Sequence, residues 1–559
     1  MKKALFYLIA LLLPLLLLAL VELLLRVAGI GNSYPLFIDN PANRHYQLVR
    51  PDLIKRYFAE GSAVPNVTAE PTFFLKQKPA DGIRLVVQGG STAAGYPYGV
   101  GASLAGMLET RLRRSSGART VEVVNTALSA VNSYTLLDVA DDIIAIKPDA
   151  VLIYAGHNEY LGIMGVGSTY LAAQSPSTTR LLLTLRRLYS FQLLERLYQA
   201  CCTTTTIAAD GEKRTLMARV AQGQQISTDS PLFAAGISQF QQNMALLLAK
   251  YRAAKVPVYI ATVGSNIADQ PPFAGSPLTD IQQGKLAQFQ AQLEAGIDIN
   301  ALDIAVQRLV QQAPVDAAAL YYQLGQLYRR ANAPEQAQRW LRAAKDADSL
   351  RFRAPEAINQ QIRALANRYD AVLVDVEERW QRHSPQGLIG QGLMLEHLHP
   401  NAKGYFLLAD SFYQALTKRP PMTNWPGIVS TELAWAERPL LPAEEYAAQL
   451  RIITLTADYP FQPGPQPVNY PKPQTPEQQI GRAYFDGKLD WLGLAQQSAR
   501  YYQQQRNGDM LLKSLLLLAD ALPHDANSNR QAASILLQAG RQQEAAHYQR
   551  RAELAAKSQ

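Results

Sequence analysis

The stretch Ile83-Arg84-Leu85-Val86-Val87-Gln88-Gly89-Gly90-Ser91-Thr92-Ala93-Ala94-Gly95 decides how the chain is read. A β-type run ends in two glycines, which permit a tight strand-to-helix turn. The turn brings the Ser91 hydroxyl and the first N–H groups of a helix to one spot. Helical spacing of apolar residues follows over 104–114. The unit then recurs. A strand at 121–125 precedes a helix through 136–146, and a strand at 150–154 closes on Ala155-Gly156-His157-Asn158-Glu159. Further along, a helix at 240–250 leads to a strand at 256–262, and a helix at 358–368 leads to a strand at 371–376. Strands alternating with helices predict a parallel sheet in a layered α/β domain, whose ligands bind outside the carboxyl ends of the strands.

Composition sets limits around this frame. The 559 residues correspond to three or four structural units at about 150 residues each. With 48% hydrophobic and 18% charged residues, the chain can build sizeable cores and carries too little charge for a disordered scaffold. The net charge of +8 is spread without a dense Lys/Arg block, so no nucleic-acid partner is indicated. Cys201 and Cys202 are the only cysteines, and adjacent residues do not easily reach ordinary disulfide geometry. The fold therefore relies on packing, with no Cys-rich metal site.

Lys2 and Lys3 precede a 22-residue apolar run at 4–25, broken only by Pro14 and Glu22. That length suits a bilayer span and exceeds the roughly 7–15 residue core of a cleavable signal. The expectation is an uncleaved signal-anchor, with a processed secretory signal as the alternative. Two lysines before the run against Arg26 alone after it predict a single-pass inner-membrane protein whose body lies on the periplasmic side.

The domain reading follows the same cues. Residues 1–30 form the anchor, and 31–80, rich in turn formers and aromatics, form a membrane-proximal segment. The α/β domain occupies 81–415, with helical insertions at about 160–235 and 276–350. A Pro-rich linker covers 416–475, and 476–559 returns to helices. Tyr321, Leu324, Gly325, Tyr328, Ala337, Leu341 and Ala344 have tetratricopeptide-like spacing, echoed by Ala532, Ala533, Leu536, Gly540, Ala545 and Ala552. Two unrelated helical hairpins are the alternative. A single such repeat cannot bury its faces alone, so each is expected to pack on neighbouring helices, and either offers a surface to a protein partner.

Four polar blocks fall just after strands or near the end of the domain: 89–95, Asn125-Thr126-Ala127, Gly156-His157-Asn158 and Leu395-Glu396-His397-Leu398-His399-Pro400. Their order and spacing resemble the SGNH/GDSL hydrolase superfamily over about 83–160, 240–270 and 355–412. The resemblance implies a three-layer, flavodoxin-like SGNH hydrolase domain with a parallel sheet. It implies Ser91 as nucleophile, with Gly90 where the family has Asp, and His399 as base, oriented by Glu396 where the family has Asp. Oxyanion donors would be the N–H groups of Ser91 and Ala127, the latter in place of a glycine, and the Asn158 amide.

The implied activity is a serine esterase or deacylase that removes an acyl or acetyl group through an acyl-Ser91 intermediate. An O-acyltransferase using the same triad on an envelope glycan or lipid acceptor is the first alternative. A non-catalytic tetratricopeptide scaffold on a degenerate hydrolase frame is the second, motivated by the departures at Gly90, Ala127 and Glu396. The substrate would be an ester-bearing small molecule, glycan or lipid.

These residue types suit the chemistry. A serine hydroxyl is a weak nucleophile at neutral pH, so His399 must take its proton while an acid holds the imidazole in the right tautomer. A spacing of three lets Glu396 meet one nitrogen of His399 and leaves the other for Ser91. His397 competes for the role of base, and Asp375 for that of orienting acid. Asn266, after the fourth strand, His157 and Arg353 are candidate substrate contacts; Arg353, like Arg351, also reads as an insertion-to-core contact. No cofactor motif is present. Glu396, His397 and His399 supply at most three ligands, so no metal is expected.

Overall fold

Strand β4 (Ile83–Gly89) lies inside a five-stranded sheet with β5 (Val121–Asn125), β6 (Ala150–Tyr154), β7 (Val258–Ala261) and β8 (Val372–Val374). The order is β5-β4-β6-β7-β8, all parallel. This computed structural model describes residues 2–62, 64–117, 119–169, 175–202, 215–221, 224–419, 422–423 and 425–557. Every residue of β4, β5, β6 and β7 is buried, as a parallel sheet covered on both faces requires. Helices Leu104–Ser115 and Ala402–Leu416 pack together as one layer. Pro231–Ala253 packs with Ser133–Asp138 and Glu356–Tyr369 as the other. All five strands and the three-layer α/β architecture expected from the sequence are present.

Chain order reverses at β4, whose neighbours are β5 on one side and β6 on the other. In doubly wound sheets the crevice at such a switch point receives the ligand. Ser91 follows β4, residues 126–130 follow β5 and Asn158 follows β6, so three of the four polar blocks converge there by topology alone. Gly89 is required by close approach, because a Cβ on it would lie 2.2 Å from the Tyr154 carbonyl oxygen.

Two segments differ from expectation. Within 31–80, β1 (Phe37–Asp39), β2 (Tyr46–Val49) and β3 (Phe73–Leu75) form an antiparallel sheet. The Arg84 Nε donates to Glu122 Oε2 at 2.9 Å, and Glu122 Oε1 accepts from the Leu75 N–H at 2.7 Å, tying β3 to the main sheet. Within 416–475, helices Thr431–Ala436 and Pro442–Thr456 form, with Leu441 and Ala447 fully buried. Pro442 starts its helix, where its missing N–H costs nothing.

Insertion 160–235 contains helices Pro176–Leu185, Tyr189–Cys202 and Leu216–Ala221; residues 170–174, 203–214 and 222–223 lie outside the described ones. In insertion 276–350, Ala318–Arg330 and Pro334–Ala347 pair as a hairpin. Gly325 lets them approach, since a Cβ there would lie 2.6 Å from Leu341 Cγ. Helices Ala526–Gln538 and Gln542–Ala556 form the C-terminal hairpin.

The N-terminal helix spans Lys2–Val27, and its Glu22 carboxylate accepts from the N–H groups of Tyr189 at 3.0 Å and Ser190 at 2.9 Å. Among the described residues no helix is long and apolar enough to cross a membrane. Glu22 and Arg26 pair near the end of this helix, and its side chains are described only at Tyr7 and from Leu12 onward.

Candidate active site

Ser91 opens a short helix, Ser91–Ala94, directly after Gly90. Its Oγ lies 2.8 Å from Nε2 of His399, although 308 positions separate the two in sequence. The loop carrying His399 is pinned at both ends, by a bridge between Met394 and Pro400 and by the Leu395 N–H donating to the His399 carbonyl at 2.8 Å. Asn401 then caps helix Ala402–Leu416 through the Gly404 N–H. Inside this loop Glu396 Oε1 accepts from the His399 backbone N–H at 2.8 Å and from His399 Nδ1. With Nδ1 protonated toward Glu396, Nε2 is the acceptor for the Ser91 hydroxyl, the arrangement general-base activation requires.

Burial pushes the His399 pKa down from 6.5 to about 3, so the imidazole is neutral and ready to accept a proton at neutral pH. The Tyr96 ring, 4.7 Å away, packs against it. Asp375, the competing acid, is engaged elsewhere. It caps helix Val376–Arg382 and accepts from Thr262 Oγ1 at 2.9 Å. Glu396 is the carboxylate that orients His399.

Asn158 Nδ2 donates one hydrogen to the Val131 carbonyl at 2.9 Å and keeps a second. It also explains Gly90. A Cβ at that position would sit 2.7 Å from Asn158 Nδ2, so a larger residue before Ser91 would have to displace that amide, while the backbone itself, with φ −91°, makes no demand for glycine.

Ala127 is a correction. Its N–H donates to Asn125 Oδ1 at 3.2 Å, and it is buried away from the cavity that holds Ser91. Three residues on, Ala130 lines that cavity with φ 61°, a left-handed conformation that costs a non-glycine residue about 1–2 kcal/mol. No hydrogen bond from its N–H is formed among the described residues. Ala130 precedes Val131, the Asn158 partner, and is the candidate for the backbone donor that the sequence placed at Ala127.

Ser91, Ala130, Asn158 and His399 share a cavity of about 360 Å³. Its apolar wall includes Leu161, Leu216, Met217, Val220, Leu455 and Phe485. Arg451, also on the wall, donates to the Pro97 carbonyl at 2.6 Å and packs over the Tyr484 ring. Leu455, Arg451 and Phe485 come from segments read as linker and distant helix, and no local motif marks them. A second cavity, of about 330 Å³, lies away from Ser91 against β5 and the C-terminal helices; Arg113 and Arg551 on its wall pair with Asp520.

The three candidate substrate contacts divide. His157 lines the Ser91 cavity, with its Nδ1 accepting from the Ala354 N–H at 3.2 Å. Asn266 does not line it. Its Nδ2 donates to the Glu396 carbonyl at 3.1 Å and its N–H to the His397 carbonyl at 2.9 Å, so it braces the loop that carries Glu396 and His399. Arg353 is buried against the Asn266 and Gln270 carbonyls and paired with Asp348 at 3.0 Å. Arg351 likewise donates to the Ile226 carbonyl at 2.8 Å.

No family model matches the chain, and no curated protein matches it. Solved structures do align. The acetyl xylan esterase AlAXEase is 12% identical over 60% of this chain and 100% of its own, at a TM-score of 0.28. A GDSL-like lipase from Bacteroides thetaiotaomicron is 12% identical over 62% of this chain and 92% of its own, at 0.27. A lipase/acylhydrolase from Enterococcus faecalis is 12% identical over 59% of this chain and 93% of its own, at 0.26. Alignments this distant carry no functional argument. The doubly wound α/β fold rests on the strand order, and the polar blocks meet at the carboxyl ends of its strands.

Proposed function

We propose that the protein is a serine hydrolase that cleaves an ester through an acyl-Ser91 intermediate. The observation that carries this reading is the 2.8 Å contact of Ser91 Oγ with His399 Nε2, with Glu396 on the other ring nitrogen, at the wall of a largely apolar cavity. In this mechanism His399 takes the Ser91 proton as Oγ attacks the acyl carbonyl, and the negative oxygen accepts from Ser91 N–H, Ala130 N–H and Asn158 Nδ2. His399 then returns its proton to the departing alkoxide. Water, activated by the same imidazole, releases the acid. The cavity favours an acyl chain longer than acetyl, because each buried methylene contributes about 0.8 kcal/mol and an acetyl group would leave most of the wall without contact.

Membrane attachment belongs to the same proposal. The apolar run at 4–25, preceded by Lys2 and Lys3, supports an N-terminal helix held by the inner membrane with the hydrolase on the periplasmic side. Leu194, Leu197 and Tyr198 are exposed on one face of helix Tyr189–Cys202, whose start Glu22 caps, and this adds apolar surface beside that helix.

A fluorophosphonate probe tests the enzyme reading. The native chain should label and the Ser91→Ala variant should not; equal labelling of both would remove it. Protease access to the body in spheroplasts, with carbonate extraction of the full chain, tests the location. Protection from added protease would contradict it.

A further inference from the structure

Glutamate has one more rotatable bond than aspartate, so a carboxylate at position 396 needs more than one contact to present a fixed oxygen to His399. It has four. Oε1 accepts from the backbone N–H and Nδ1 of His399, and Oε2 accepts from the backbone N–H of His397, at 2.6 Å, and from His397 Nδ1. Each oxygen is thus assigned to one histidine.

We propose that His397 is a positioning residue for the ester cleavage: its Nδ1–H anchors Oε2 of Glu396 so that Oε1 stays aimed at His399. The proposal rests on the reading of Ser91, His399 and Glu396 as a triad.

The surroundings of His397 fix its tautomer. Its ring is buried among Phe273, Phe352 and Phe461, with centroids 5.3, 5.9 and 5.4 Å away and all three rings roughly perpendicular to it. Nε2 finds no hydrogen-bond partner there. An imidazole with apolar rings around one nitrogen and a carboxylate at the other keeps its single proton at the carboxylate. Burial, together with the facing His399, Arg353 and His157, pushes its pKa well below 6.5, so it stays neutral and donates throughout the working pH range. Nor is it the base, since Ser91 Oγ is bonded to His399. A carboxylate oxygen bonded in this way is a poorer proton acceptor. When His399 becomes an imidazolium, the proton on its Nδ1 therefore stays on the ring.

Four variants measured on a p-nitrophenyl acyl ester test this. In His397→Phe the ring remains and the donor is lost. In His397→Asn, Nδ2 lies where Nδ1 was, but part of the cage is left empty. The expected result for the Phe variant is a 10- to 100-fold fall in kcat, about what loss of one hydrogen bond to a charged group gives. Its acid limb in kcat/KM should also move to higher pH, because Glu396, short of a donor, holds the His399 proton more strongly. The Asn variant should recover most of kcat and the native acid limb while melting lower. Should the Phe variant fail to fold by circular dichroism, His397→Leu replaces it with the same expectation. A purely structural ring gives the reverse order, the Phe variant near native and the Asn variant impaired. That order, or a donor-less variant with native kcat and an unmoved acid limb, overturns the proposal. Failure of the triad itself appears separately, as a native chain no more active than Ser91→Ala.

Discussion

Asn158→Ala isolates the oxyanion contribution, and the structure gives both of its consequences. Of the two Nδ2 hydrogens, one goes to the Val131 carbonyl at 2.9 Å. Losing that bond should lower stability by about 1 kcal/mol. The other hydrogen is assigned to the negative oxygen of the tetrahedral intermediate, where loss of one donor costs about 2.7–4 kcal/mol, or roughly 10²–10³ in kcat. Because the contact strengthens only in the transition state, KM should change little. Gly90→Ala provides an internal control. Its Cβ would sit 2.7 Å from Asn158 Nδ2 and must displace the amide, so it should lower kcat in the same direction. The double variant should then lose much less than the sum of the two single effects, as residues acting through one group do. The assay is steady-state hydrolysis of a p-nitrophenyl acyl ester by all four proteins, with urea unfolding of each. A kcat for Asn158→Ala within about threefold of native, far below the loss of one donor, or additive losses in the double variant, would refute the placement of Asn158.

Four further outcomes are expected. Glu122→Ala leaves Arg84, 1% exposed, without its carboxylate, and should cost about 3–5 kcal/mol in urea unfolding. Burial raises the Glu159 pKa from 4.5 to about 7, so its protonation stabilises the fold fully below pH 4.5, and that gain is lost as pH rises through 7. Between pH 5.5 and 8.5 the native chain should therefore lose about 2 kcal/mol more than Glu159→Gln in paired urea titrations. Since neutral His399 is the competent form and burial holds its pKa near 3, the acid limb of kcat/KM should lie well below pH 6.5 in short assays that precede unfolding. Across p-nitrophenyl esters, kcat/KM should rise about fourfold per added methylene until the cavity is filled, and Leu455→Ala should flatten that rise.

What the sequence disclosed depended on the length and regularity of each signal. Strands β4, β5 and β6 are apolar runs of five to seven residues ending at glycine, asparagine or an Ala-Gly pair, and they occupy nearly the predicted positions. β1 and β3 have three residues each, too short to show alternation among the prolines of 31–80. Helix Pro442–Thr456 was obscured by the proline density of 416–475, although one of those prolines is what starts it. The site divides along similar lines. Ser91, Asn158, Glu396 and His399 each sit in a recognisable block beside a strand or a helix cap. Ala130 does not, because a left-handed turn is ordinarily marked by glycine and here the conformation is imposed on an alanine by the surrounding fold. Its neighbourhood carried one weak sign, Asn132 capping helix Ser133–Asp138, which places a turn just before it.

A crystal structure of the chain after reaction with a fluorophosphonate tests the central claim most directly. The account predicts phosphorus bonded to Ser91 Oγ, with one phosphoryl oxygen within about 2.7–3.1 Å of Ser91 N, Ala130 N and Asn158 Nδ2, and the alkyl group in the cavity beside Leu455 and Phe485. An adduct on another side chain, or a phosphoryl oxygen turned to solvent away from those three nitrogens, would contradict it.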